Sequence, residues 1–280
     1  MIVVTAEQMR EMDRQTIQQY GAPSLMLMER AGAGIAQAII ESFSTNAKKG
    51  VLIVAGKGNN GGDGFVVARL LKKERISCEV ALLARQDELS TDAAHNLRAF
   101  RKIKGKVTEI TAGQLDLLSP KLNKNGLIVD AILGTGVKNE VRGLFADAIT
   151  LINAAGLPIV AVDIPSGLDT DNGTPLGVAV QAEMTVALGY PKLGEVIYPG
   201  MSFVGDLVVV DIGIDARALA TVAPRTELLE LEKSLGWCRA APPTVIKELM
   251  AILLSLPGRG AKPARRFWRA GRRCARARDW

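Results

Sequence analysis

Between Val51 and Ile212 the chain repeats one device: a short apolar run, then a stretch of helical period, then another apolar run. The runs are VLIVA (51–55), CEVALL (78–83), KVTEI (106–110), LIVDAI (127–132), PIVAVDI (158–164), MTVAL (184–188) and LVVVDI (207–212). They are too short for buried helices and too continuous for strands with one wet face, so they predict strands covered on both sides. Helical segments fit Phe65–Lys73, Thr91–Lys102 and Leu144–Ala155. Strand, helix and strand in alternation give right-handed crossovers. The fold class is therefore α/β, a three-layer α/β/α domain with a largely parallel sheet. Upstream, Thr5 and Gln8 form a candidate capping box for a helix reaching about Gln19, with Met9, Met12 and Ile17 as its apolar side. A second helix begins near Ser24 and runs past Ile39. Its Ala31, Gly32, Ala33 and Gly34 suggest close helix contact, with another subunit as one option.

Composition matters mainly through its distribution. The 280 residues are 48% hydrophobic but only 4% aromatic, so the core is built of Val, Ile, Leu, Met and Ala. Eleven of the 35 Lys/Arg but only two of the 29 Asp/Glu, Glu248 and Asp279, fall in residues 237–280. The formal charge of +6 thus belongs to the tail, and the preceding residues are net acidic. Without a matching basic stripe or interleaved aromatics in the main domain, nucleic-acid binding is not expected. Cys78, Cys238 and Cys274 are too few and too scattered for a disulfide framework or a zinc cluster, which favours a reducing compartment. No run of 18 apolar residues occurs and the start MIVVTAEQM lacks signal-peptide features, so a cytoplasmic protein without membrane partners is expected.

In a parallel α/β sheet, ligands bind at the carboxyl ends of the strands. Three of those ends are polar. AGKGNNGGDGF (55–65) carries Gly56, Gly58 and Gly61 in G-x-G-x-x-G spacing, a weak dinucleotide signal. Against it, Asp63 adds negative charge near the following helix start, and the acid about twenty residues on, Glu79, lies near a strand's beginning. Asn59 and Asn60 present amide groups instead. VDAILGTGVKNEVRG (129–143) places Asp130 at a strand terminus, and Gly134, Thr135 and Gly136 can bring backbone N–H groups to a phosphate. Arg142 could neutralise that anion or simply be solvated. AVDIPSGLDTDNG (161–173) delivers Asp163 at the end of an apolar strand and Ser166 after Pro165. An acid there is costly to bury without a partner or a task, although a structural capping role is the alternative. Asp169 and Asp171 need only be turn residues. His95, the only histidine, falls on the helix 91–102, away from the strand ends, and is read as a surface or packing residue.

GKGNNGGDG, VDAILGTG, VDIPSGLD and LGYPKLG, taken together, resemble the NAD(P)H-hydrate epimerase family over residues 1–230. The resemblance implies a Rossmann-like domain that usually dimerises and an isomerase interconverting the R and S forms of hydrated NADH and NADPH, with a bound potassium ion. It places potassium at Asn60, Asp130 and Ser166. It places substrate at Asn59, Asn60, Gly61, Gly62 and Asp63, at Gly134, Thr135, Gly136, Val137, Lys138, Asn139 and Glu140, and at Asp163. Two neutral oxygens and one carboxylate suit a monovalent cation better than a divalent one. With no Ser-His-Asp set and no Walker sequence, the acid–base candidates are the carboxylates, Asp163 first, and Lys192, which could instead supply positive charge, pair with phosphate or face solvent. The hydroxyl of the hydrate at C6 can leave with the help of the N1 lone pair once protonated, and water can return to either face of the planar iminium carbon. An NAD-dependent oxidoreductase and a non-catalytic nucleotide-binding interaction protein remain as alternatives. Residues 231–280 are expected to be a basic appendage, read as the remnant of a lost or frame-shifted dehydratase domain, so epimerase without dehydratase activity is expected.

Overall fold

The structure, a computed structural model, describes residues 1–229. In chain order the elements are β1 (Ile2–Val3), α1 (Ala6–Arg14) running into a π-helical turn (Gln15–Gln19), α2 (Ser24–Ser42), α3 (Ser44–Ala47), β2 (Val51–Ala55), α4 (Asn59–Lys73), β3 (Cys78–Leu82) and α5 (Thr91–Lys102). There follow β4 (Lys106–Glu109), α6 (Ser119–Lys124), β5 (Leu127–Ala131), α7 (Leu144–Asn153), β6 (Ile159–Val162) and β7 (Met184–Leu188). The last are α8 (Leu193–Val196), α9 (Met201–Val204), β8 (Asp206–Val210), α10 (Ala216–Val222) and β9 (Thr226–Glu227). The described residues divide into a main unit, Val3–Arg225, and a second unit made of Met1–Ile2 with residues 226–229. In the second unit, Met1 and Leu228 exchange backbone hydrogen bonds. The expected appendage, 231–280, lies outside the described residues.

All seven runs read from the sequence are strands of one sheet, in the order β4-β3-β2-β5-β6-β7-β8, and every pairing is parallel. The continuous apolar character of the inner strands β2, β5, β6 and β7 follows from cover on both faces, whereas the edge strands β4 and β8 are only partly buried. Leu52, Val54 and Ile128 point into a core completed by α6 and α7 through Leu122, Ala148, Ile149 and Ile152. The alternate residues Ile53, Ala55 and Ala131 face α4 on the other side, close enough that a Cβ on Gly64 would come within 2.7 Å of the Ala131 side chain. Burying each such Val, Leu or Ile is worth about 1.5–3 kcal/mol, which explains how a core with so few aromatics holds.

The strand order reverses between β2 and β5. The chain winds outward through β3 and β4, then crosses back to β5 and winds the other way, so the connections after β2 and β5 part above neighbouring strands and leave a crevice. The Thr5 capping box forms as expected: the Gln8 amide donates to Thr5 Oγ1 at 3.2 Å and Thr5 N–H to Gln8 Oε1 at 2.9 Å. One expectation is corrected and another is met. The helix after β2 begins at Asn59, not Phe65, because the glycines of NNGGDG are packing residues within it. The close helix contact expected of the small residues of α2 is met at Gly32, where a Cβ would strike Val66 of α4 at 2.3 Å; a Cβ on Gly34 would strike Val210 at 2.2 Å, and Ala33 is exposed.

Candidate active site

A cavity of about 530 Å³, within the range of small-ligand sites, opens at that reversal point. Its wall includes Gly58, Asn59, Asn60 and Asp63 from the start of α4, Ile132 to Val137 after β5, and Asp163 after β6. Residues of α1 and α2 line it as well, among them Met9, Arg10, Asp13 and Met28. The three polar strand ends thus meet in one place.

The glycines divide by what surrounds them. A Cβ on Gly56 would sit 2.0 Å from the Ile132 carbonyl oxygen, and one on Gly61 2.0 Å from that of Gly56. The first is demanded by the close approach of the chain after β2 to that after β5, the second by the tight seating of α4 against the end of β2. Gly58 and Gly136 line the cavity with nothing within 4 Å of a would-be Cβ and no left-handed backbone, so nothing inside the described chain requires glycine at either. That pattern fits a wall kept low for a ligand's close approach. The Gly58 end of α4 has no side-chain cap, which leaves first-turn N–H groups of a 15-residue helix directed at the cavity, a setting suited to anionic groups.

Asp130, Ser166 and Asn60 form one knot around the peptide of Leu133. Asp130 is fully buried at the end of β5. Its Oδ1 accepts from the Ser166 hydroxyl at 2.6 Å and the Ile132 N–H at 3.2 Å, and its Oδ2 from the Ser166 N–H at 2.8 Å. The Leu133 N–H donates to Ser166 Oγ at 2.8 Å, and Asn60 Nδ2 donates to the Leu133 carbonyl at 3.0 Å. Burial pushes the Asp130 carboxyl up to about 6, against the pull of these donors. Among the described residues no cluster of three His, Cys, Asp or Glu side chains has metal-holding geometry, so a cation here would meet neutral oxygens and a single carboxylate.

Asp163 has φ 67°, a left-handed conformation that side-chain-bearing residues seldom adopt, fixed by its N–H donating to the Val186 carbonyl at 2.9 Å. Its Oδ1 accepts from the Leu188 N–H at 3.1 Å and from Lys192 Nζ. Lys192 has no exposed surface and also donates to the Leu188 carbonyl at 3.2 Å. In this structure the Lys192 ammonium is thus engaged by Asp163 and the Leu188 carbonyl, away from solvent, and does not line the cavity. Glu195, one turn on, accepts from the Lys192 N–H at 2.6 Å, and burial pushes its carboxyl up to about 8.

Other positions from the sequence separate. Gly61 and Gly62 are buried in α4 and do not line the cavity; Gly62 packs against the Met28 side chain. Lys138, Asn139 and Glu140 are exposed outside it, Glu140 pairing with Arg142 at 2.6 Å, which settles Arg142 as a surface residue in this structure. Asp169 accepts from the N–H groups of Asp171 and Asn172 as a turn residue, while Asp171 receives the Ala6 N–H at 2.7 Å and anchors the start of α1. His95 is exposed. The sequence reading missed Asp13. Its position four residues after Met9, on the side of α1 that carries Met12, was the available signal.

A doubly wound α/β domain with a polar cleft at its strand reversal, where a buried lysine holds one of the lining aspartates, defines the class. The chain belongs to the family described as YjeF-related protein N-terminus, whose profile matches residues 24–194. It is 42% identical over 245 residues to the bifunctional NAD(P)H-hydrate repair enzyme Nnr of Moorella thermoacetica, covering 87% of this chain and 46% of that protein. The chain thus spans about half the length of that relative. It is 38% identical to the NAD(P)H-hydrate epimerase of Oenococcus oeni over 76% of this chain and 97% of that protein. The crystal structure of yeast ynu0 superposes with a TM-score of 0.67 at 27% identity, covering 82% of this chain and 97% of the yeast one. Among the described residues no helix is long and apolar enough to cross a membrane.

Proposed function

We propose that this chain is an NAD(P)H-hydrate epimerase, an isomerase that interconverts the R and S hydrates of NADH and NADPH at C6 of the nicotinamide ring and so serves repair of the damaged cofactor. The observation that carries the reading is the joining on one cavity of an uncapped helix end, two glycines with no packing duty and Asp163, held by Lys192, in a chain that spans nearly all of an epimerase relative. The α4 N-terminus and the Gly134–Gly136 backbone would receive the diphosphate. Asp163 would face the nicotinamide end, moving a proton at the C6 oxygen, with Lys192 holding its carboxylate in place.

Asn60, Asp130 and Ser166 would hold potassium, which when bound supplies positive charge beside the phosphates; their all-oxygen, low-charge character suits that ion. The reading extends to a homodimer, tested by sedimentation.

Mixing the protein with hydrated cofactor and following the diastereomer ratio decides the matter, with the slow spontaneous interconversion subtracted. Accelerated interconversion supports the epimerase. Binding without acceleration would favour a nucleotide-binding interaction protein. Hydride transfer to a second substrate would favour an oxidoreductase, a reading weakened because Glu79, the acid spaced to hold a ribose, is engaged by Lys121 at 2.8 Å near the start of β3.

A further inference from the structure

Asp13, like Asp92, lines the cavity without having been singled out from the sequence, and of the two it is the one with a buried, unpartnered carboxylate oxygen. It shares the cavity face of α1 with Met9, one turn earlier, and α1 is held by its capping box and by Asp171. Its Oδ1 is buried and has no hydrogen-bond partner. Asp163 has the opposite surroundings, with an ammonium and an amide on its carboxylate. Two carboxyls in one cavity, one paired with a cation and one unpaired, are the arrangement that separates an acid from a base. Burial first, and then the nearby Asp163 charge, push Asp13 up to about 6 against the pull of Lys192. Asp63 faces Asp13 from α4 and is itself pushed up by burial and by both carboxylates. Arg10 lies on the same helix at the cavity, Lys57 and Asp92 line the cavity as well, and Asp215, which caps α10, is paired with Arg217.

Resting on the epimerase reading, we infer that Asp13 is a second catalytic residue, the proton donor to the departing C6 hydroxyl, with Asp163 as the acceptor when water returns. In the forward step the Asp13 Oδ–H proton passes to the C6 oxygen, the C6–O bond breaks with its electron pair going to oxygen, and water leaves. The N1 lone pair closes to N1=C6. Water then adds to the other face, the N1=C6 pair returns to N1, and the proton released by the water goes to Asp163. Solvent carries that proton back to Asp13, and the reverse reaction uses the same groups in exchanged roles.

The test is the background-corrected kcat between pH 5 and 9 for wild type, Asp13→Asn and Asp13→Glu. Wild type should fall as pH rises past about 6. Asp13→Asn should lose roughly 100-fold at pH 6 together with that falling limb, and Asp13→Glu should restore the limb. A folded Asp13→Asn protein within threefold of wild type and with the same limb overturns the inference while leaving the epimerase reading intact. Wild type with no activity overturns both. Should the Asn variant not fold, the carboxyl carbon resonance of Asp13 in wild type must titrate near 6 and move to lower pH in Asp163→Asn; an ordinary, unmoved midpoint overturns the proposal.

Discussion

The Lys192 ammonium, with no surface exposed, is shared between the Asp163 carboxylate and the Leu188 carbonyl, and Leu188 returns its N–H to the same Asp163 oxygen. The carboxylate at the cavity is therefore oriented by a group that does not itself line the cavity, which lets a residue with strained backbone keep one direction.

Asp163→Asn removes the proton carrier while nearly keeping the volume. Background-corrected interconversion should fall at least about tenfold in protein that still binds substrate. Because the change also leaves Lys192 without its anion, some loss of stability should accompany it, and the rate must be taken on protein shown to be folded by circular dichroism. A rate equal to wild type at saturating substrate would move the acid–base role elsewhere.

Lys192→Met leaves Asp163, a side chain only 14% exposed, without a cation. Urea unfolding should show a loss of about 3–5 kcal/mol, the usual result of stranding one partner of a buried pair. The double variant with Asp163→Asn should lose less than the two single losses added together. Simple additivity would mean that the pair is not coupled.

Asp130→Asn can keep an acceptor toward only one side of Ser166, which donates to both carboxylate oxygens. A stability loss of about 1–3 kcal/mol is expected from the group left unmatched. The sharper expectation concerns potassium: titrating it should raise the melting temperature and activity of wild type and leave the variant flat. Wild type indifferent to potassium would remove the cation site.

Gly136→Ala and Gly61→Ala should part company. The first meets open space and should leave the urea midpoint unchanged while raising KM for the hydrate. The second would drive a methyl to 2.0 Å from the Gly56 carbonyl and should destabilise the fold. Equal effects on stability would contradict the division between packing and cavity glycines.

Glu195 supplies a pH test. Its folded value is raised from 4.5 to about 8, so the folded state holds the proton more tightly, and its contribution to stability, present below about 4.5, is lost as pH rises through about 8. Glu195→Gln cannot titrate. The stability of wild type relative to that variant should therefore decline by up to about 1.4 kcal/mol per pH unit between roughly pH 5 and 8. A difference independent of pH would show that Glu195 titrates normally.

Strand existence, parallel pairing and the polar strand ends were legible in the residues, because cover on both faces imposes unbroken apolar runs and ligand chemistry gathers where they stop. Val51–Ala55 and Met184–Leu188 begin and end where the apolar letters do. The start of α4 was not legible: Gly61, Gly62 and Gly64 read as loop by propensity, yet the sheet and α2 leave room for nothing larger, and packing outweighs the roughly 1 kcal/mol that each glycine costs a helix. The sequence by itself determined the layers and named Asn60, Asp130, Asp163 and Ser166. Only the tertiary structure decided that Lys192 lies behind Asp163, that Lys138 to Glu140 lie outside the cavity and that Asp13 lies within its wall. Those three outcomes depend on which way a side chain faces once distant segments meet, and burial and charge pairing, the energies that fix that direction, act between residues far apart in the chain.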